Sequence, residues 1–115
     1  MLRLFLILLL LFNLYLFFDL VLPPKIKIIS PKNKETVYND SVTFKGFADK
    51  RGELFINELP VYFDNHGYFE KTFYLKEGIN RFIIRERKFW GQETKINREV
   101  IYLPKWAKIK NKIKN

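Results

Sequence analysis

The sequence predicts an all-β domain that follows one N-terminal membrane helix, and three observations support this prediction. Residues 1–22 are almost entirely apolar and hold one of the 21 basic residues of the chain, Arg3. From Lys25 onward, short runs of alternating apolar residues are separated by turn signals at intervals of about 8–12 residues. That part of the 115-residue chain has no convincing helical period before its tail. Together these patterns are typical of a seven-stranded Ig-like β-sandwich preceded by one transmembrane helix.

The N-terminal segment has the length and composition of a membrane span. As a helix at about 1.5 Å per residue, residues 4–22 extend about 28 Å, close to the roughly 30 Å of a bilayer core. Asn13 falls in the middle, where it can hydrogen-bond a neighbouring helix, and Asp19 lies close enough to one end to reach the headgroups. Two consecutive prolines then end the helix. Residues 1–24 are therefore predicted to be a membrane anchor.

Two alternatives to an uncleaved anchor stay open: a cleaved signal peptide and a helix buried in a protein core. A cleavable signal needs small residues before the cut, whereas this segment ends in FFDLVLPPK, which contains no Ala, Gly or Ser. Its apolar run is also longer than the roughly 7–15 residues of a typical signal core. The sequence therefore favours an uncleaved signal-anchor.

The strands are predicted where apolar residues alternate, since alternate side chains of a strand face one side of a sheet. Gly, Asn and Asp mark the turns between them, and Asp64-Asn65-His66-Gly67 is the strongest turn signal in the chain. The seven predicted strands cover residues 25–29, 41–45, 53–56, 61–63, 68–75, 79–87 and 95–103. The sandwich is therefore predicted over residues 25–104, with a basic tail at 105–115.

A recurring order of turn and strand residues runs through the predicted sandwich. Its members are Gly46, Asn57, Asp64, Gly67, Phe69, Leu75, Gly78, Asn80 and Gly91. In this order the chain resembles bacterial Ig-like domains of the glucodextranase domain-B type, over about residues 25–103. The resemblance implies an accessory module of an exported or surface protein and is almost silent on activity.

Glu86 and Arg87 depart from that pattern, because such domains usually carry a small residue and an Asp-containing turn at this place. We therefore expect the end of this strand to be more exposed or to pair differently. Asn80 follows Gly78 at the start of the same strand. Its side chain is expected to satisfy backbone groups of the loop and not to bind a ligand.

The orientation of the anchor depends on two conflicting signals. Arg3 and the α-amine precede the span, whereas Lys25, Lys27, Lys32 and Lys34 follow it, so the positive-inside rule alone would keep the β domain in the cytoplasm. A folded domain can nevertheless cross a membrane largely regardless of its charge. Because the resemblance is to exported modules, we predict a membrane-anchored protein whose β domain is extracytoplasmic.

The composition excludes several classes of site. There is no cysteine, so neither a disulfide framework nor a thiolate metal site is possible. No P-loop, GxGxxG or nucleophile elbow is present, and the single histidine, His66, has no nucleophile or second histidine beside it. Asp64, Asn65 and Glu70 do not have the spacing of an EF-hand loop. We predict no catalytic residue, no cofactor and no metal site, and therefore no enzyme.

The candidate ligand-binding residues are aromatic residues outside the predicted core. They are Phe55, Tyr62, Tyr68 and Tyr74 on the outward faces of strands, and Phe89 and Trp90 on a loop. Such rings can stack on sugars or anchor a protein interface. The alternative is that they cover strand edges, pair across strands or rest on a membrane surface.

The tail is a second candidate surface and contributes much of the net charge of +9. Trp106, Ile109 and Ile113 have the spacing of an amphipathic stripe. The candidate residues for a membrane surface are Lys105, Trp106, Lys108, Lys110, Lys112 and Lys114. Such a segment can lie on anionic lipid, bind a wall polyanion or nucleic acid by charge alone, or form a solvated, disordered end.

We predict a non-catalytic, membrane-anchored Ig-like domain of the cell envelope with a structural, adhesive or protein-binding role. Its predicted partners are the membrane, crossed once, and an envelope polysaccharide or protein. The alternatives are a carbohydrate-binding accessory module that uses the outward aromatic residues, and a protein that binds lipid or nucleic acid through its Lys-rich tail. Nucleic acid is the least favoured partner, because the basic residues cluster in the tail and not on the folded face.

Overall fold

The computed structural model describes residues 1–89 and 91–106, except the side chains of residues 19 and 20. Within these residues one helix, α1 (Leu2–Val21), precedes eight strands. The strands are β1 (Lys27–Ser30), β2 (Glu35–Val37), β3 (Ser41–Phe47), β4 (Gly52–Ile56), β5 (Leu59–Val61), β6 (Tyr68–Tyr74), β7 (Gly78–Lys88) and β8 (Glu93–Tyr102).

The strands form two sheets that pack against each other as a sandwich. The three-stranded sheet has the order β1-β3-β6, and the five-stranded sheet has the order β2-β8-β7-β4-β5. All neighbouring strands are antiparallel except β2 and β8, which are parallel. The prediction of an all-β sandwich after an N-terminal helix is confirmed at this level.

α1 is rich in Leu and contains neither Gly nor Pro, a composition that favours a helix. It ends where the Leu22 N–H donates to the Phe18 carbonyl (3.0 Å) and the Leu22 backbone becomes extended. The side chain of Asn13 does not need a neighbouring helix, because it donates to the Leu9 carbonyl of its own helix at 2.7 Å. Among the described residues, no helix is both long and apolar enough to cross a membrane.

The sequence predicted seven strands and missed β2, which has too few residues for an alternating pattern to show. β2 pairs with the last three residues of β8. Two bonds align the start of this pairing: the Glu99 N–H donates to Asn33 Oδ1 (2.9 Å), and the Lys34 N–H donates to the Glu99 carbonyl (2.7 Å). The partner strand, and not the local sequence, therefore determines β2.

β5 lies two residues before the strand predicted at residues 61–63. Asn57 and Glu58 both have a positive φ, 50° and 68°, as in a two-residue type I′ hairpin turn. This turn sets Leu59 opposite Ile56, and the ladder ends at Val61. Tyr62 and Phe63, which follow β5, are therefore not paired in the sheet.

The core lies between the two sheets and is built from alternate residues of the strands. At its centre, the rings of Phe44, Phe73 and Phe82 have centroids 4.7–5.6 Å apart. The buried hydrophobic residues are Val42, Phe44, Ala48, Leu54, Ile56, Val61, Phe69, Leu75, Phe82, Ile84 and Val100. Phe44, Ile56, Ile84 and Val100 have no solvent exposure, so the sandwich has a closed core of its own.

We call the end of the sandwich nearest α1 the proximal end. The segments that meet there are residues 24–25, the β3–β4 turn (48–51), the β5–β6 loop (62–67) and, from the β7–β8 turn, residues 89 and 91–92. The Thr94 hydroxyl donates to the Pro24 carbonyl at 2.6 Å, and the Lys25 N–H donates to Asp49 Oδ2 at 3.4 Å. The segment after α1 is therefore bonded to the sandwich.

The opposite, distal end holds the β6–β7 turn (75–77) and the end of β8. β8 runs from Glu93 at the proximal end to Tyr102 at the distal end. At roughly 3.3 Å per residue it covers about 30 Å. The segment after β8 therefore begins at the end of the sandwich that lies away from α1.

Candidate functional site

A buried carboxyl group, that of Glu86, lies near the proximal end of the core. β7 remains in register past this residue, paired with β4 on one side and β8 on the other. The expectation of an exposed or differently paired strand end is wrong for Glu86, which has no solvent exposure. The alternation that turns Phe82 and Ile84 inward continues through Glu86. Arg87, the next residue, is exposed.

Burial raises the pKa of Glu86 to about 7, because an ionised carboxylate loses its hydration in the core. The Asp49 N–H donates to Glu86 Oε1 at 2.8 Å and lowers this pKa, the Asp49 carboxylate raises it, and the Lys88 ammonium lowers it. Oε2 has no hydrogen-bond partner in the part of the chain that the structure describes. Near neutral pH, Glu86 is therefore divided between its charged and uncharged forms.

The Asp49 carboxylate lies between Glu86 and the surface. Its Oδ1 accepts the Arg51 N–H (3.1 Å) and Nε–H (3.3 Å), and its Oδ2 lies 4.0 Å from Lys88 Nζ. Burial alone would raise the pKa of Asp49, but the hydrogen bonds from Arg51 and Lys25, with the Arg51 charge, lower it. Asp49 is thus an ionised group that orients Arg51 and faces a buried lysine.

A groove of about 470 Å³ opens beside this cluster, and we call it the basic groove. Its lining residues are Lys50, Arg51, Gly52, Glu53, Arg87, Lys88, Phe89 and Gly91. Four of these side chains are cationic and one is a carboxylate. At its rim, the Phe89 side chain is 88% exposed.

Sequence reasoning missed the basic groove because its cations come from two segments that are far apart in the chain. The β3–β4 turn contributes Lys50 and Arg51, and the end of β7 contributes Arg87 and Lys88. Each segment ends with two consecutive basic residues, and this repeated pair was the available signal. The pairing of β4 with β7, which brings the two pairs together, could not be read from the sequence.

Of the predicted aromatic residues, the structure brings Phe55 and Tyr62 together. They line a second groove of about 380 Å³ along β4 and the segment after β5, which we call the aromatic groove. On the outer face of the five-stranded sheet, the guanidinium carbon of Arg85 lies 5.4 Å from the centroid of the Phe55 ring. Tyr62 is 87% exposed, so this groove has one fixed ring and one ring open to solvent.

The other predicted aromatic residues lie elsewhere. Tyr68 and Tyr74 are at opposite ends of β6, on the outer face of the three-stranded sheet, where Tyr68 packs against Phe47 with ring centroids 5.4 Å apart. Phe89 is at the proximal end, and Trp90 lies outside the described residues. The described members are spread over two faces and one end and do not form a continuous strip.

The predicted tail surface is described only at its start. Lys105 and Trp106 are exposed and follow β8 at the distal end. The remaining candidates, Lys108, Lys110, Lys112 and Lys114, lie outside the described residues.

The turn at residues 64–67 is held by its own backbone and side chains, as its sequence predicted. Asp64 Oδ1 accepts the N–H groups of His66 (2.9 Å) and Tyr68 (3.0 Å), a typical Asx arrangement. The His66 side chain is exposed. Within the described residues, no group of three or more His, Cys, Asp or Glu side chains is placed to hold a metal ion.

The structural role predicted for Asn80 is confirmed. Its Oδ1 accepts the Lys76 N–H at 2.9 Å, and its Nδ2 donates to the carbonyls of Lys76 (2.7 Å) and Gly78 (3.2 Å). Asn57 acts in a similar way at the β4–β5 turn, where its Oδ1 accepts the Ile83 N–H at 2.9 Å. Both amides satisfy backbone groups of loops and strands.

Neither a protein-family model nor a curated protein matches the sequence. Solved structures do match the fold. The fibronectin(III)-like modules of Clostridium thermocellum CbhA match with a TM-score of 0.53 and 13% identity, over 73% of this chain and 48% of that chain. An engineered protein matches with a TM-score of 0.52 and 12% identity, over 70% of this chain and 20% of that one.

A third structure, the Bacteroides ovatus SGBP-B protein of a mixed-linkage glucan utilization locus in complex with a mixed-linkage heptasaccharide, matches with a TM-score of 0.46 and 16% identity. It covers 71% of this chain and 24% of that chain. This chain therefore spans less than half the length of each of these three structures. The likeness to the CbhA modules establishes a fibronectin(III)-like β-sandwich fold, and the narrower resemblance to glucodextranase domain B stays a prediction.

Proposed function

We propose that this chain is a non-catalytic binding module that α1 anchors in a lipid bilayer, with the β-sandwich on the extracytoplasmic side. The observation that carries the proposal is the exposure of α1. Every side chain described in this helix is exposed, although the segment is almost entirely apolar.

The exposure extends around the whole helix. Leu8, Leu9, Leu10 and Leu11 follow one another at about 100° per residue and so cover its full circumference. They are 63%, 47%, 62% and 55% exposed. A helix that is apolar on all sides is stable where lipid or protein covers it. The sandwich fills its own core with its own side chains, and a bilayer covers all sides of α1 at once.

A binding role is supported by the contrast between the buried acids and the open aromatic groove. Glu86 has no solvent exposure, and the Asp49 carboxylate is 9% exposed and bonded to Arg51, so neither is open to a substrate. The aromatic groove has Tyr62 open to solvent beside Phe55. Exposed aromatic residues in a groove are typical anchors of protein interfaces.

We assign the aromatic groove to a protein partner. A continuous strip of aromatic rings on one sheet would bind an extended polysaccharide, whereas the described aromatic residues lie on separate faces of the sandwich. This spread favours the protein-binding role over the carbohydrate-binding alternative.

The proposal is tested by protease treatment of intact cells that produce the full chain, with the membrane fraction analysed in parallel. We expect the chain to remain with the membrane and the sandwich to be digested from outside. Protection in intact cells, with digestion only after the inner membrane is lysed, would place the sandwich in the cytoplasm. Release of a sandwich without α1 would show that the segment is a cleaved signal peptide.

A pair of matched variants tests the role of α1 itself. Leu9→Arg with Leu10→Arg places two charges at the middle of the helix, each costing about 2.5–3.5 kcal/mol in a membrane span, and should reduce membrane retention strongly. Ile79→Arg with Ile83→Arg adds the same charges to exposed positions of β7, which are 61% and 46% exposed, and should leave retention unchanged. Equal retention of both double variants would contradict the anchor.

A further inference from the structure

We propose that the basic groove and Phe89 form a docking surface for anionic lipid headgroups, with Lys50 and Arg87 contacting the headgroup phosphates. The inference rests on the proposed membrane anchoring. It adds a defined orientation of the sandwich, in which the proximal end contacts the bilayer surface.

The connection between α1 and the sandwich is too short to hold the proximal end away from the bilayer. α1 ends at Val21, and Pro24 is already buried, with its carbonyl bonded to the Thr94 hydroxyl at 2.6 Å. Three residue steps span at most about 11 Å, at roughly 3.6 Å each. The headgroup layer is roughly 5–8 Å deep on each side of a bilayer core of about 30 Å. With α1 in that core, the proximal end lies in or against the headgroups.

The basic groove presents positive charge at this level. Lys50 and Arg87 are exposed, and Arg51 is oriented by its bonds to Asp49. Glu53 is the one acidic residue of the lining. Each cation near an anionic membrane surface raises affinity about fivefold, and the planar fork of an arginine side chain fits the oxygens of a phosphate.

Arginines on the outer face of the five-stranded sheet are paired with carboxylates. There Arg81 faces Glu99, with Nε and Oε1 3.5 Å apart, and Arg85 faces Glu58, with Nη2 and Oε2 2.9 Å apart. In the basic groove, Arg51 and Lys88 share one carboxylate, that of Asp49, at 3.3 and 4.0 Å. The exposed Lys50 and Arg87 are therefore the cations of this groove that we assign to phosphate.

Phe89 supplies the apolar half of the docking surface. It lies in the lining of the basic groove, and its ring is 88% exposed at the turn between β7 and β8. An exposed phenylalanine ring at this level can insert at the boundary between headgroups and acyl chains, as the Trp, Phe and Leu side chains of interfacial helices do. A cationic groove with an exposed ring beside it therefore fits the interface of an anionic bilayer.

The test compares the full chain in vesicles of phosphatidylcholine with the full chain in vesicles that contain about one third phosphatidylglycerol. Flotation of the vesicles measures anchoring, and amide hydrogen exchange of residues 48–53 measures docking. We expect flotation with both vesicles and exchange several-fold slower in the anionic ones. The slowing should disappear at high salt, which screens charges beyond about 3 Å at 1 M.

Matched variants locate the surface. Lys50→Glu with Arg87→Glu should abolish the slowing, and Phe89→Ser should reduce it. Lys71→Glu with Lys76→Glu makes the same change of charge at exposed positions of β6 and the distal turn and should leave it intact. An equal loss in both double variants would mean that only net charge matters and would overturn the assignment of the groove.

The remaining outcomes separate the two proposals. Failure of the chain to float with either vesicle would refute the anchoring, and with it the docking surface. Flotation with both vesicles and equal exchange in both would refute the docking surface and leave the anchoring in place. Slowing by inorganic phosphate in neutral vesicles would identify a site for soluble phosphate and would overturn the assignment to lipid.

Discussion

The backbone N–H of Asp49 donates to the buried carboxyl group of Glu86 at 2.8 Å, and this bond joins the β3–β4 turn to strand β7. The same turn carries Lys50 and Arg51 into the basic groove. The position of the cations that we assign to lipid therefore depends on a carboxyl group that titrates near neutral pH.

Glu86 should make the stability of the sandwich depend on pH. Its pKa is raised from 4.5 to about 7 in the folded state, so between these values the folded state holds more protons than the unfolded state. Stability is therefore expected to fall as the pH rises through this range, by about 3 kcal/mol in total at about 1.4 kcal/mol per pKa unit. Denaturation of the full chain in detergent at pH 5 and pH 8, followed by circular dichroism, measures the difference.

Glu86→Gln is the control for this prediction. The amide oxygen can still accept the Asp49 N–H, but the group no longer titrates, so the fall in stability above pH 5 should disappear. Asp49 has a lowered pKa and acts in the opposite sense, with stability lost as the pH falls below 4. A pH profile that is the same in the wild type and in Glu86→Gln would contradict the assignment.

Gly52→Ala should destabilise the sandwich by about 1–3 kcal/mol, the usual cost of overpacking a core. A Cβ at this position would stand 2.6 Å from Glu86 Oε2 and 2.7 Å from Glu86 Cγ. In a Glu86→Ala background these atoms are absent, and the cost of Gly52→Ala should largely vanish. Thermal unfolding of the two single variants and the double variant gives the coupling free energy, and additive effects would show that Gly52 is needed for another reason.

Gly67→Ala and Gly78→Ala form a matched pair, because both residues have a positive φ, 84° and 100°. A Cβ at Gly67 would stand 2.5 Å from the Ala48 carbonyl oxygen, whereas nothing lies within 4 Å of one at Gly78. Both changes cost the backbone strain of roughly 1–2 kcal/mol, and Gly67→Ala should cost more because it also forces the β5–β6 loop away from Ala48. If denaturant unfolding shows that both variants lose the same free energy of unfolding, the predicted clash of the new Cβ with Ala48 is refuted.

Asn80→Ala should cost about 0.5–1.5 kcal/mol, because the exposed Lys76 N–H and carbonyl exchange their side-chain partner for water. Asn80→Asp keeps the acceptor for the Lys76 N–H but sets a carboxylate oxygen against the carbonyls of Lys76 and Gly78, which repel it, so it should be the more damaging change. Urea unfolding of both variants checks the order. A smaller loss in Asn80→Asp than in Asn80→Ala would argue against this account of the turn.

The long strands could be predicted from the sequence because each has a clear two-residue period. In β6 and β7, Phe69, Phe73, Phe82 and Ile84 were assigned to the inner face, and all four pack in the core. The same period continues to Glu86, where the departure from the resembled Ig-like domains led us to expect exposure or a different pairing. The structure keeps the period and accommodates the charge with a raised pKa and the bond from Asp49.

What the sequence could not provide was the order of strands in the sheets. The outward direction of Phe55 and Tyr74 follows from alternation alone, but their separation onto different sheets follows from pairings that only the fold reveals. β2 was missed for the same reason, since its pairing depends on β8. The basic groove depends on the pairing of β4 with β7 and was likewise out of reach.

The placement of the two chain ends has a mechanical consequence. β1 and β8 both run from the proximal to the distal end, so the chain enters the sandwich at one pole and leaves it at the other. A pull between α1 and the tail acts along the strands and across their hydrogen bonds, which lie perpendicular to them in antiparallel pairs. The β7–β8 ladder would then be loaded in shear. It has ten residue pairs, from Gly78↔Tyr102 to Arg87↔Glu93, and under shear its hydrogen bonds carry the force together and do not break one after another.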